Sequence, residues 1–175
     1  TRLARQKGLV AERLPLARMK PVIAVKKSNK KQIHATADLL RDDVKVALGD
    51  PDAAAIGKKA RKLLTASGEW QPLQQRVTVF KPTVNDVANA IKLGSVDAGI
   101  IWDTTAAQYD EIKAIRVPEL DAGEASVEIC VLNSAKIPKA ALHFARFVAA
   151  RDRGLTTFSE EHFDVVEGDI WEDVP

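Results

Sequence analysis

Cysteine is nearly missing from this sequence of 175 residues. Cys130 stands alone, which excludes an intrachain disulfide and any cysteine-built zinc site. Its setting, Val127-Glu-Ile-Cys-Val-Leu132, reads as a strand in which the thiol is a small apolar filler. No histidine lies in a partner motif that would make it a nucleophile. An excess of one charge sign is also missing: 26 basic against 24 acidic residues leave +2, too little to mark a nucleic-acid surface. Long apolar runs are absent. The longest, residues 98–102 and 129–132, are strand-sized, where a membrane span needs about 20 residues. There is no internal repeat, no low-complexity tract, no Gly-x-Gly-x-x-Gly, no phosphate-binding Gly-Lys-Ser/Thr loop, no Gly-x-Ser-x-Gly and no His-Glu-x-x-His. His34, His143 and His162 match no metal-ligand spacing. The sole methionine is Met19, and the opening from Thr1 carries neither start residue nor leader, so it reads as a processed chain or an excised fragment.

What is present is an ordinary globular mixture, 46% hydrophobic and 29% charged, which argues against disorder and suits one mid-sized domain or two small lobes. Short apolar runs alternate with helical patterns. Residues 1–14 read as a helix stopped by Pro15. Strands are expected at 21–25, 44–48, 77–80, 98–102, 112–117 and 125–132. Helices are expected at 35–40, 53–66, 84–93, 104–109 and 138–150, with one more turn at 155–158 and an irregular tail. Alternation of this kind predicts an α/β fold with a mixed, largely parallel sheet, and such sheets bind ligands beyond the carboxyl ends of their strands. The basic run 26–31 and the acidic tail read as solvated surface.

That rule singles out three strand-to-helix junctions. In Leu48-Gly-Asp-Pro-Asp-Ala-Ala-Ala-Ile-Gly57 a strand gives way to a helix rich in small residues, whose first-turn amides lack intrahelical acceptors and can hold an anion. Capping by Asp50 or Asp52 competes for those amides, and spacing alone favours the cap. In Phe80-Lys-Pro-Thr-Val-Asn-Asp-Val87 the cap candidates are Thr83, Asn85 and Asp86. In Gly99-Ile-Ile-Trp-Asp103 an apolar strand ends in a tryptophan, and Asp103 or Thr104 can cap the next helix. Taken singly, Asp86 and Asp103 read as caps and Trp102 as a core or rim aromatic. Together the three turns can face one crevice. Their donors are mostly backbone N–H groups, with Lys81 the one basic side chain, which suits a small oxyanion held by hydrogen bonds.

Two stretches, Val46-Ala-Leu-Gly-Asp-Pro51 and Asn85-Asp-Val-Ala-Asn-Ala-Ile-Lys-Leu-Gly-Ser-Val-Asp-Ala-Gly-Ile-Ile-Trp102, resemble the periplasmic molybdate-binding proteins of bacterial molybdate/tungstate ABC importers. The resemblance runs over roughly residues 1–160. It implies a two-lobed, type II periplasmic-binding-protein-like fold with a hinge. Residues 1–20 would close the N-terminal segment of lobe 1 with a helix. Residues 21–126 would form lobe 2 with the oxyanion loops, and residues 127–175 the return strand, the C-terminal helix of lobe 1 and a tail. Amides of Ile56, Val87 and Trp102 would bind the oxyanion, with support from Ala55, Asn85 and Asp86. Trp102 stands where the family often has tyrosine, and Ile56 is bulkier than the usual small residue.

The resemblance further implies no enzyme activity and no cofactor, with molybdate or tungstate as ligand. It implies a membrane permease as partner, no nucleic acid, and a periplasmic or extracytoplasmic location. The family's serine- or alanine-rich first-lobe loops have no counterpart before residue 14. Weak ligand binding and a homodimer of the shortened lobe are therefore expected. Two other classes remain open from the residues: the effector domain of a transcription regulator with the same fold, distinguished by an upstream helix-turn-helix, and an α/β transferase acting on a phosphorylated substrate, disfavoured because no acid–base pair or nucleophile sits at the junctions.

Overall fold

The computed structural model describes residues 2–172. In chain order the elements are α1 (Arg2–Gln6), β1 (Val10–Met19), β2 (Pro21–Lys26), a 3-10 turn (Thr36–Leu40), β3 (Val46–Gly49), α2 (Ala55–Ala66), α3 (Trp70–Arg76), β4 (Val79–Lys81), α4 (Val84–Leu93), β5 (Ala98–Trp102), α5 (Asp103–Ala107), β6 (Ile112–Ile115), α6 (Pro118–Asp121), β7 (Ala125–Leu132), α7 (Pro138–Ala149), α8 (Gly154–Glu160) and β8 (Asp164–Val165). They fall into two compact units. Among the described residues one comprises 2–19 and 125–172, the other 20–124.

The second unit is built on a five-stranded sheet of order β4-β3-β5-β2-β6. It is mixed: β3 runs parallel to β4 and β5, while β2 runs antiparallel to β5 and β6. The fully buried β5, Ala-Gly-Ile-Ile-Trp, has no polar residue to offer water, so its place is internal. The apolar stripe of α4 (Val87, Ala88, Ile91) joins Val22, Ala24, Ala47 and Ile101 in one core cluster. α4 begins where Thr83 caps it and ends at Gly94, whose φ of +79° is the left-handed turn that stops a helix without side-chain strain. The adjacent strands β4, β3 and β5 are mutually parallel, so their carboxyl ends lie along one edge of the sheet. Each feeds a helix: β4 into α4, β3 into α2, β5 into α5.

In the first unit β1 lies between β7 and β8, antiparallel to both. Here the structure differs from the helix expected at residues 1–14: helix is confined to Arg2–Gln6, and the chain is extended from Val10. The cause is non-local. An eight-residue partner, β7, supplies a ladder that local propensity does not foresee, and Pro15 sits beside a register shift where a missing N–H is tolerated. Leu16, Ala17 and Leu155 form the buried centre of this unit, with Val127, Ile129 and Phe158 packed against it. α3, α6 and β8 are elements that the sequence pattern did not signal.

Candidate functional site

The three junctions meet. One crevice of about 280 Å³ is lined by Ala53, Ala54, Ala55 and Ile56 from the start of α2, by Pro82, Thr83 and Val84 from the start of α4, and by Trp102 at the end of β5. It lies outside the carboxyl ends of the parallel strands, where α/β sheets place their ligands. No charged side chain is among its lining residues.

The acidic residues of the turns are spent on the turns themselves. Asp50 Oδ1 accepts from the amides of Asp52 (2.7 Å) and Ala53 (3.2 Å). Thr83 Oγ1 accepts from the Asp86 amide at 3.1 Å and donates to Asp86 Oδ2 at 2.6 Å, so the two side chains close the first turn of α4. Asp103 Oδ1 accepts from the amides of Thr104 and Lys20, both at 2.9 Å. Asp52 pairs with Arg61 at 3.0 Å. The expected capping of α2 by Asp50 or Asp52 is not what the structure has: the N-cap is Ala54 with no side-chain bond, and Asp50 closes the turn before the helix instead. At α4 the cap is Thr83, with Asp86 as its partner, and Asp103 is the first residue of α5 rather than its cap.

The helix-start amides remain. Ala54 is the N-cap of α2, and the Lys58 amide is the first to find an intrahelical acceptor, Ala54 O at 3.0 Å. The amides of Ala55, Ile56 and Gly57 precede it and have no intrahelical acceptor. At α4 the same count leaves Val84 and Asn85, since the Asp86 amide goes to Thr83 Oγ1. At β5, Asp103 donates to Lys20 O at 2.8 Å, which makes Lys20 and Asp103 a bonded pair of the antiparallel ladder. Its neighbour Trp102 therefore points its own N–H to the opposite side, toward the end of β3 at Gly49. Two helix N-termini, of 12 and 10 residues, add their partial positive charge to this donor set.

Ile56, Ala55 and Trp102, expected at the site, do line the crevice. Val87, Asn85 and Asp86 do not. Val87 is wholly buried in the core, and its amide donates to Thr83 O at 3.4 Å. The α4 residue at the crevice is Val84, three positions earlier, which sequence reasoning missed. Counting from the cap would have found it: with Thr83 as N-cap, Val84 is the first helical residue and carries an orphan amide, whereas Val87 is the fourth.

Close approach of α2 to the sheet edge depends on Gly57. A Cβ there would lie 2.3 Å from Gly49 O and 2.5 Å from Asp50 O. Thr83→Ala is expected to lower stability by about 1 kcal/mol, since the Asp86 amide and carboxylate both lose their partner. Thr83→Ser keeps the hydroxyl and most of that stability. Thermal melts of the two variants check this: equal melting temperatures would contradict the capping role.

A mixed α/β unit entered and left by two chain crossings, with its crevice beyond the ends of parallel strands, is the architecture of a solute-binding protein. The chain belongs to the family of bacterial extracellular solute-binding proteins, whose sequence profile matches residues 1–163. It is similar to the molybdate-binding protein ModA of Mycobacterium bovis, 30% identical over 132 residues that cover 74% of this chain and 48% of that protein. Relatives from Haemophilus influenzae and Bacillus subtilis are covered over 58% and 54% of their length, so the chain spans about half the length of the curated relatives it matches. Among solved structures, the periplasmic molybdate-binding protein of Azotobacter vinelandii superposes with a TM-score of 0.70 at 14% identity, covering 95% of this chain and 74% of that one. The sulfate-binding protein SubI of Mycobacterium tuberculosis gives 0.68 at 15% identity, covering 95% and 65%. These likenesses show a shared fold. The family is one of solute binders rather than enzymes. Among the described residues no cluster of side chains is suited to holding a metal ion, and no helix is long and apolar enough to cross a membrane.

Proposed function

We propose that the chain is the oxyanion-binding part of an extracytoplasmic solute-binding component of an ABC importer, with molybdate or tungstate as ligand and a membrane permease as partner. One observation carries this reading: the starts of α2 and α4 and the end of β5 converge on one small crevice lined by backbone and apolar side chains, with its neighbouring carboxylates already engaged. Such a site offers main-chain donors and no carboxylate. An oxyanion that bears no proton at neutral pH can accept from all of them, whereas a partly protonated phosphate brings a hydroxyl that finds no side-chain acceptor. Sulfate shares the charge and shape of molybdate but is smaller, so size separates the two. The crevice is also below the roughly 300–1,000 Å³ usual for drug-sized ligands, which favours a small ion. Molybdate-binding relatives support the choice of ion.

Amide chemical shifts provide the test, since they register even weak association. Molybdate and tungstate are expected to move the resonances of Ala55, Ile56, Val84 and Trp102 in saturable fashion, sulfate to do so with lower affinity, and phosphate least. Silence at these amides with both molybdate and tungstate up to about 10 mM, or a preference for phosphate, would overturn the proposal.

A further inference from the structure

Asp103 opens a short helix, and its side chain reaches beyond that helix. In an antiparallel ladder the Lys20 amide should donate to the main-chain carbonyl opposite. Asp103 stands opposite, but it is the first residue of α5, and a helical carbonyl points along its own axis. The side chain takes over: Lys20 N–H donates to Asp103 Oδ1 at 2.9 Å, while Asp103 N–H donates to Lys20 O at 2.8 Å. The same Oδ1 accepts from Thr104 N–H at 2.9 Å. One carboxylate thus joins the start of α5 to Lys20, and the residue immediately before it, Trp102, lines the crevice.

Lys20 is the first residue of this unit and Glu124 the last, so the two chain crossings start from them. They are ion-paired at 3.6 Å. Lys59, on the helix whose start forms another wall of the crevice, reaches the Glu124 carbonyl at 3.4 Å. The exposed ion pair contributes little to stability by itself. Its significance is positional: it shows that the two crossings leave the unit side by side.

We infer that Asp103 is a positioning residue that couples occupancy of the oxyanion crevice to the chain crossings at Lys20 and Glu124. The inference rests on the oxyanion reading of the crevice. An ion held by the Trp102 amide draws on the end of β5. The next residue transmits that constraint through two opposed hydrogen bonds to Lys20, so ligand and crossing share one rigid link.

Amide hydrogen exchange tests this on the chain as it stands, using molybdate as the probe and the Ala55 and Val84 shifts as an independent report of binding. In the wild type, saturating molybdate is expected to slow exchange at Lys20 by about tenfold. In Asp103→Ala the Lys20 amide should exchange fast with and without molybdate, while the Ala55 and Val84 shifts still respond, with affinity reduced several-fold. Asp103→Asn retains a side-chain carbonyl and should restore the molybdate-dependent protection at Lys20, which a loss of folding could not mimic. If Ala55 and Val84 respond but Lys20 is indifferent to molybdate, or is protected equally in Asp103→Ala, the coupling is wrong and the binding site stands. If Ala55 and Val84 themselves stay silent, the oxyanion reading fails and the coupling falls with it.

Discussion

Gly57→Ala is expected to lower the melting temperature by roughly 5–10 °C, the equivalent of about 2–3 kcal/mol for a chain of this size. The new methyl would sit 2.3 Å from Gly49 O and 2.5 Å from Asp50 O, and both are main-chain atoms. Neither can yield cheaply. Asp50 is tied on both sides, its amide donating to Lys81 O at 2.8 Å and its carbonyl accepting from the Ala54 amide at 2.8 Å. Gly49 belongs to the buried end of β3. The alternative is for α2 to retreat, which opens the contact of Ile56 with Gly49 and moves the Ala55 and Ile56 amides away from the crevice. Alanine also gains about 1 kcal/mol of helix propensity over glycine, and the expected loss is net of that gain. Calorimetry decides the matter: a melting temperature equal to or above that of the wild type would show that α2 does not press on the β3 turn.

Ala55→Pro and Val84→Pro should separate binding from folding. Each places proline at the first position of a helix, where its missing N–H breaks no intrahelical bond and its fixed φ suits the turn. The residues before them are extended, Ala54 at φ −86°, ψ 135° and Thr83 at φ −128°, ψ 158°, which is the backbone a succeeding proline requires. Ala55→Pro should therefore melt close to the wild type. Val84→Pro should lose about 1 kcal/mol, since Val84 packs partly on the core. Each variant removes one amide donor from the crevice. A hydrogen bond to a charged group contributes roughly 1.5–3 kcal/mol, so molybdate affinity should fall about 10- to 100-fold in each. Ala55→Gly, which keeps the amide, should bind nearly as the wild type does. Titration calorimetry of all three, beside their melts, checks the claim: unchanged affinity in both proline variants would mean that these amides do not face the ligand.

Local signals sufficed where an element announced both its ends. α4 was legible to the residue because Thr83 caps it and Gly94 stops it, β5 because a continuous apolar run lies between polar turns, and β7 because polar and apolar residues alternate into an apolar end. β1 was not legible, since its leucines among basic residues mimic a helix and its strand character comes from pairing with β7 far along the chain. The crevice was half legible. That three strand-to-helix turns face one point follows from parallel strands, while the particular residues Ile56, Val87 and Trp102 come from the family resemblance, and of these Ile56 and Trp102 line the crevice. On α4 the crevice is lined by Val84, the first residue after the Thr83 cap, while Val87, to which the family resemblance points, lies in the core. The role of Asp103 toward Lys20 was out of reach, since it depends on which strand lies next to β5.

If the crevice binds as proposed, its recognition surface is made of main-chain N–H groups and would be inherited through the geometry of chain reversal, not through the identity of side chains. Ala55, Ile56, Val84 and Trp102 could each be exchanged for another residue of tolerable bulk, proline excepted, and the donors would stay where they are. What must persist is the place at which each helix begins: the caps at Ala54 and Thr83 and the glycines that let α2 press against the sheet. Chemistry of this kind leaves almost no written trace. Its specificity is recorded in punctuation, in where strands stop and helices start, while the letters in between are free to drift.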